Sequence, residues 1–95
     1  MKGTEKQIAW AQDIVEKIEQ VLDNALELAK NRNFSQIDAL AAVHTKILNN
    51  IKTQEAGTII NDFKNIELTS DAEGNYSRLQ NCLLFAARDG RNYNA

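Results

Sequence analysis

GTEKQIAWAQDIVEKIEQVLDNALELAK, the stretch from Gly3 to Lys30, decides the fold of this 95-residue chain. Thr4 and Gln7 are spaced as a capping box, in which each side chain accepts a hydrogen bond from the other residue's backbone N–H. Apolar residues then recur at alternating spacings of three and four, which places them along one side of a helix. This seam consists of Ile8, Ala11, Val15, Ile18, Leu22, Ala25 and Ala29. The pattern predicts one long amphipathic helix over about residues 4–30.

Two further sets of residues lie on the same predicted helix, and we take both as candidate partner-binding residues. The first, here called the second stripe, widens the apolar face and consists of Trp10, Ile14, Val21 and Leu28. It is expected to pack on later helices of the chain, or to form a homodimer or partner surface where those helices leave it exposed. The second set, here called the acidic ridge, consists of Glu16, Glu19, Asp23 and Glu27. We interpret the ridge as a helix face exposed to solvent. The functional alternative is that its spaced negative charges bind a basic groove on a partner protein.

A second helix is predicted over about residues 35–53, with Ser35 as its N-cap and Asp38 in its first turn. The asparagine-rich segment before it, residues 31–33, favours a helix end and a tight connection. Two amphipathic helices joined by such a short loop are expected to pack antiparallel. Its apolar positions repeat the three-four spacing: Ile37, Leu40, His44, Ile47 and Ile51.

The second half of the chain predicts two shorter helices. Gly57 is expected to interrupt the helical structure, because glycine costs about 1 kcal/mol inside a helix. A third helix is predicted after it, over about residues 58–65. The last helix begins near residue 71 if Ser70 and Glu73 form a capping box, or near residue 75 if Gly74 and Asn75 delay it. It is predicted to end near residue 89, where Gly90 provides the left-handed residue that closes many helices. Residues 91–95 are predicted to form a frayed tail.

The amino-acid composition is consistent with the predicted helical fold. The chain has no proline, 43% hydrophobic residues and 25% charged residues, values near the globular average. A chain of this length forms one domain with a modest core. The predicted fold is therefore all-α: a single domain over residues 1–95, built as a small three- to four-helix bundle with a long N-terminal amphipathic helix.

Motifs for catalysis, metal binding and cofactor binding are lacking, so we predict no catalytic residues, no metal site and no cofactor. His44 and Cys82 are the only histidine and the only cysteine, too few for a zinc site of the Cys/His type. As a pair they could form a thiol and its base, but both lie in apolar stripes where cysteine is usually inert packing. His44 is expected at the edge of the core with one satisfied nitrogen.

The charge balance offers no strong attraction for nucleic acid or an anionic membrane. Eleven Lys and Arg against 13 Asp and Glu give a net charge of −2. The basic residues that could form a nucleic-acid surface are scattered, with Phe34 or Tyr93 available for stacking. They are Lys30, Arg32, Lys46, Lys52, Arg78, Arg88 and Arg91. No apolar run approaches the roughly 18 residues of a membrane span, and the start is polar, so we expect a cytoplasmic protein.

The run Gly3, Thr4, Glu5, Lys6, Gln7, Trp10 and Ala11 resembles the N-terminal helix of small phage and mobile-element proteins of Gram-positive bacteria. Those proteins share a run of Gly, Ser or Thr, Glu, Lys, Gln, two variable residues, Trp and Ala. The resemblance covers about one tenth to one sixth of the chain. It implies an accessory protein that acts by binding, in some cases as an inhibitor of host defence, and it implies no catalytic residues.

Strong helical patterning without active-site chemistry therefore predicts a small protein-interaction module. The resemblance to phage and mobile-element proteins implies that it would act on a host protein such as a defence nuclease, in the host cytoplasm if a phage encodes it. The alternatives are a nucleic-acid-associated helical regulator and a homodimeric structural protein that associates through the long helix.

Overall fold

A computed structural model describes all residues, 1–95, and the prediction of an all-α bundle is confirmed. Four helices follow one another, and no strand is present. They are α1 (Glu5–Asn31), α2 (Ile37–Lys52), α3 (Ala56–Phe63) and α4 (Ala72–Arg88). No helix combines the length and the apolar character needed to cross a membrane.

Helix α1 begins and ends as its local sequence predicts. The Thr4 backbone N–H donates to Gln7 Oε1 at 3.0 Å, and the Gln7 N–H donates to Thr4 Oγ1 at 3.2 Å. At the other end, Asn33 adopts a left-handed φ of 57°. The N–H of Phe34 then donates to the Ala29 carbonyl and that of Asn33 to the Lys30 carbonyl, both at 3.0 Å. These two bonds form a Schellman motif, which satisfies carbonyls that the helix end leaves free.

Helix α2 begins later than predicted, because residues 35 and 36 form a turn after this motif. Ser35 does not cap the helix. The residue before its first turn is Gln36, which makes no side-chain capping bond. The helix packs along α1, as expected for two helices joined by a short connection.

Helix α3 begins earlier than predicted, and Gly57 lies inside its first turn rather than in a break. The backbone N–H of Ala56 donates to the Lys2 carbonyl at 2.8 Å, and the Ala56 side chain is completely buried. This tertiary contact outweighs the low helix propensity of glycine. The helix ends at Phe63, two residues before the predicted boundary.

Helix α4 takes the earlier of its two predicted starts, but its cap differs. Asp71 is the N-cap, and its Oδ1 accepts from the Gly74 N–H at 3.1 Å. Ser70 and Glu73 therefore do not form the predicted capping box. Asn75 does not delay the helix. Its buried side chain binds the preceding loop: Oδ1 accepts from the N–H and the hydroxyl of Thr69, and Nδ2 donates to the Thr69 carbonyl.

Gly90 ends α4 as predicted. Its φ is +89°, and a second Schellman motif closes the helix through bonds from Arg91 N–H to the Ala86 carbonyl at 2.9 Å and from Gly90 N–H to the Ala87 carbonyl at 3.0 Å.

Helix α1 lies at the centre of the packing. It contacts each of the other three helices, and α3 also packs on α4. The core is one apolar cluster, whose largest fully buried members are Phe63, Ile18, Ile47, Ile51, Ile59, Leu79 and Val21. Burial of this cluster dominates stability, because each such side chain contributes about 1.5–3 kcal/mol while an exposed ion pair contributes under about 1 kcal/mol.

The prediction of a frayed tail is wrong. Tyr93 is only 2% exposed, and its ring packs 5.3 Å from that of Phe63. Its hydroxyl donates to Asp62 at 2.6 Å, and the Arg91 guanidinium donates to the same carboxylate at 2.6 and 2.8 Å. Asn50 Nδ2 donates to the Tyr93 carbonyl at 2.8 Å, which ties the tail to α2.

Asp62 is the buried acceptor that holds this tail. Burial opposes its ionisation, but the hydrogen bonds from Arg91, Tyr93 and Asn61 and the charge of Arg91 outweigh burial and hold the pKa of Asp62 below its usual value. Burial and the bond to Asp62 raise the pKa of the Tyr93 hydroxyl, so it remains a donor at neutral pH.

Candidate interaction surfaces

The structure divides the second stripe of α1. Ile14 and Val21 are 3% and 1% exposed, since they belong to the core. Their burial agrees with the expectation that this stripe packs within the bundle, and it corrects their assignment as candidate partner-binding residues. Leu28 is half-buried, and Trp10 is 51% exposed. Only Trp10 and Leu28 therefore remain as candidate contact residues of this stripe.

An apolar groove of about 480 Å³ lies beside the C-terminal end of α1, between the first turns of α2 and α4. We call it the helix-end groove. Three of its lining residues are alanines, whose methyl groups fill little space, and its larger apolar side chains are Leu28, Phe34, Leu40 and Tyr76. Its lining consists of Ala25, Leu28, Ala29, Arg32, Phe34, Leu40, Ala72, Glu73, Tyr76 and Ser77.

The groove is mostly apolar, and the charges on its lining are paired. Arg32 forms an ion pair with Glu73, which joins the end of α1 to the start of α4. Phe34 is the C″ residue of the Schellman motif that ends α1, and it is half exposed. The groove therefore presents apolar surface to solvent at a site where opposite charges already neutralise each other.

The basic residues considered for nucleic-acid binding do not all remain free. Arg32 is paired with Glu73 and Arg91 with Asp62. Arg88 lies 5.3 Å above the Phe85 ring on the exposed side of α4. Tyr93, considered for base stacking, is buried in the core.

A smaller cleft of about 200 Å³ lies between α1 and α2, and we call it the α1–α2 cleft. Two members of the acidic ridge, Glu19 and Asp23, line it. The apolar part of its lining is Leu22, Leu26, Ala41 and Leu48, and the polar part is completed by His44 and Thr45. All four ridge residues are exposed, and none forms an ion pair within the chain.

His44 links the two recesses. It lines the α1–α2 cleft, whereas its hydrogen-bond partner Tyr76 lines the helix-end groove. His44 Nε2 lies 3.0 Å from the Tyr76 hydroxyl, and the imidazole tautomer decides which of them donates. His44 Nδ1 is buried without a hydrogen-bond partner, which confirms a core-edge histidine with one satisfied nitrogen. Burial lowers the pKa of His44, and the nearby charge of Asp23 opposes that shift.

Cys82 and His44 do not form a nucleophile and base in this arrangement. No hydrogen bond joins them, because His44 Nε2 is bonded to Tyr76 and His44 Nδ1 has no hydrogen-bond partner. Burial, with a contribution from the charge of Asp62, raises the pKa of the Cys82 thiol and disfavours the reactive thiolate. No group of three or more His, Cys, Asp and Glu side chains is arranged to hold a metal ion.

Sequence reasoning did not identify the helix-end groove, although its residues carried signals. Phe34 is a large apolar residue in an otherwise polar connection, and Leu40 lies on the predicted apolar seam of the second helix. The sequence pattern cannot show that the folded chain leaves a groove between the first turns of α2 and α4. No protein-family model, curated protein or solved structure matches the chain.

Proposed function

We propose that this protein is a small, non-enzymatic interaction module that binds a protein partner through the helix-end groove. The observation that carries the proposal is the open apolar lining of the groove, whose volume of about 480 Å³ falls within the roughly 300–1,000 Å³ of typical binding pockets. An amphipathic helix of the partner fits this chemistry, because it can insert apolar side chains spaced one turn apart.

The partner we favour is a host protein such as a defence nuclease, and inhibition is the outcome of binding. This part of the proposal rests on the resemblance of residues 3–11 to phage and mobile-element proteins. A phage-encoded copy would act in the host cytoplasm.

The test is capture of host proteins from a lysate by the intact protein and by two matched variants. Phe34→Glu places a charge in the groove, whereas Phe85→Glu makes the same change at an exposed site on α4 outside the groove lining. We expect Phe34→Glu to abolish capture of the partner and Phe85→Glu to retain it. Ser77→Trp, which fills the groove from α4, should also abolish capture.

The proposal fails if the unmodified protein captures nothing, or if both groove variants capture the same partner as well as it does. Circular dichroism on each variant separates loss of binding from loss of folding. All three changes lie at exposed positions, where substitutions normally shift stability by less than about 0.5 kcal/mol.

A homodimer is the second candidate, and the exposed apolar residues of α4 favour it. Leu84 and Phe85 are 53% and 60% exposed, the two highest values among the large hydrophobic side chains. Sedimentation over a hundredfold range of concentration tests this. A dimer that Phe85→Glu converts to a monomer supports it, and a monomer at every concentration rules it out.

A further inference from the structure

The tail, residues 91–95, is held to the helices by side chains rather than by backbone pairing. Apart from the bond from Arg91 N–H to the Ala86 carbonyl that closes α4, no backbone–backbone hydrogen bond joins the tail to the helices. Its remaining hydrogen bonds to the helices are made by the side chains of Arg91 and Tyr93 and by two tail carbonyls. Such contacts depend on which side chains the segment carries, as in the recognition of a short peptide motif.

The group that receives the tail is the Asp62 carboxylate, whose side chain is 2% exposed. Asp62 Oδ1 accepts from Arg91 Nη2 at 2.6 Å, and Oδ2 accepts from Arg91 Nε at 2.8 Å. This bidentate geometry favours a guanidinium over an ammonium, whose donors do not form a planar fork. Oδ2 also accepts from the Tyr93 hydroxyl at 2.6 Å. One buried carboxylate therefore recognises both an arginine and a tyrosine two residues later.

Phe63 and Asn50 complete the surroundings of the tyrosine. The ring of Phe63 lies 5.3 Å from that of Tyr93 and is tilted by 53°, within the range of favourable aromatic pairs. Asn50 Nδ2 donates to the carbonyls of Tyr93 at 2.8 Å and of Ala95 at 3.0 Å. Because these acceptors belong to the backbone, the contact does not depend on the residues that follow the tyrosine. We call Asn50, Asp62 and Phe63 the tail site.

The tail site borders solvent. A mostly polar recess of about 320 Å³ lies beside it, with Asn50, Thr53 and Gln54 on the α2 side and the tail on the other. The Arg91 side chain is 29% exposed, and Gly90 is the hinge between the tail and α4. The tail can therefore leave, and another segment can enter, without breaking a hydrogen bond inside any of the four helices.

We propose that the tail site recognises an extended segment of a protein partner that carries an arginine and, two residues later, a tyrosine. The tail itself shows the chemistry of that segment, since its own arginine and tyrosine fill the site. Attachment to α4 gives the tail a high effective concentration, so it acts as an internal competitor that a partner segment must displace. The inference goes beyond the helix-end groove, whose lining shares no residue with the tail site.

The test uses the peptide acetyl-Arg-Asn-Tyr-Asn-Ala-amide, which copies residues 91–95, and the full chain with Tyr93→Ala, whose own tail cannot fill the site. The peptide is titrated into the isotope-labelled variant and followed by NMR. We expect shifts of the Asn50 side-chain amide and of the Phe63 ring, and a rise of about 5 °C in the midpoint of thermal unfolding near saturation. Peptides with alanine in place of the arginine or the tyrosine should bind about tenfold more weakly.

Three comparisons locate the binding. The unmodified chain should bind the peptide about tenfold more weakly than the Tyr93→Ala chain does, because its tail competes. Adding Asp62→Asn to Tyr93→Ala should abolish binding, whereas adding Phe34→Glu, in the helix-end groove, should leave the affinity unchanged. Unweakened binding by the unmodified chain, by the Asp62→Asn chain or of the alanine-substituted peptides would overturn the proposal.

Circular dichroism without peptide shows whether Tyr93→Ala is folded. If it is unfolded, Arg91→Ala takes its place, because this change removes the guanidinium and keeps the Tyr93 ring, which is 2% exposed, in the core. The Arg91→Ala chain should bind the peptide about tenfold more tightly than the unmodified chain does, since its own tail is held less firmly. Equally weak binding by these two proteins would also overturn the proposal.

Discussion

His44 shows how one side chain acquires properties that its type alone does not dictate. It lies on a helical seam among aliphatic residues, bonded at Nε2 to Tyr76 and unsatisfied at Nδ1. Burial favours its neutral form, so protonation acts against the folded state.

This predicts a pH dependence with a defined sign. The folded pKa of His44 lies below the ordinary value of 6.5, so as the pH falls from 6.5 towards the folded pKa, the unfolded chain binds a proton that the folded chain does not. The free energy of unfolding should therefore be highest above pH 6.5 and decrease below it. Urea unfolding between pH 7.5 and 5.5 measures this.

His44→Phe should remove this decrease, since no other histidine is present. Tyr76→Phe, which keeps the titrating ring, should retain it. The same slope in all three proteins would mean that His44 is not responsible.

Gly90 and Gly57 predict opposite effects for the same substitution. Gly90 has a φ of +89°, so Gly90→Ala should lower the free energy of unfolding by about 1–2 kcal/mol. Gly57 lies in the first turn of α3, where an added Cβ meets nothing within 4 Å, so Gly57→Ala should raise it by about 0.5–1 kcal/mol. Thermal unfolding measures both, and two shifts of the same sign would contradict the conformational argument.

At the scale of the element, helix ends follow local chemistry more closely than helix starts do. Both Schellman motifs lie where Asn33 and Gly90 permit left-handed backbone. The starts of α2 and α3 each lie two residues from the predicted position, and α4 begins near one of its two predicted starts but with a different cap. Tertiary contacts and the preceding loops take part in these starts. Ala56, bonded to Lys2, and Asn75, bonded to Thr69, are the clearest cases.

Asn75 is predicted to fix the start of α4 to the loop before it. Asn75→Ala removes four hydrogen bonds, including one from Arg78, and leaves the Thr69 backbone groups without partners. We expect a loss of about 2–3 kcal/mol in the free energy of unfolding. Asn81→Ala, at an exposed site of the same helix, should change it by less than about 0.5 kcal/mol. Equal effects in chemical denaturation would show that the network contributes little.

At the scale of the whole molecule, the C-terminal segment completes the core. Asp62 receives Arg91 and Tyr93, while Asn50 binds the Tyr93 carbonyl, so the tail connects α2 with α3. The chain can reach this position because Gly90 turns it back after α4.

Tyr93→Ala should therefore destabilise the fold as a core substitution does, by about 3–5 kcal/mol, although only two residues follow it in the chain. Asn94→Ala, at the exposed neighbouring residue, should change the free energy of unfolding by less than about 0.5 kcal/mol. Urea denaturation of the two variants measures this difference. A tail that contributes nothing would give two equal and small effects.

Local sequence by itself determined much of this protein: the long helix with its cap, the number and type of the elements, the ending at Gly90 and the place of His44 at the core edge. These follow from periodicity and backbone preference, which act within a few residues. Only the tertiary structure decided that Ile14 and Val21 are core while Trp10 is exposed, that residues 91–95 are docked, and that two recesses flank the His44–Tyr76 bond. Those outcomes depend on where α3, α4 and the tail lie around α1, and that placement is set by contacts between residues far apart in the chain.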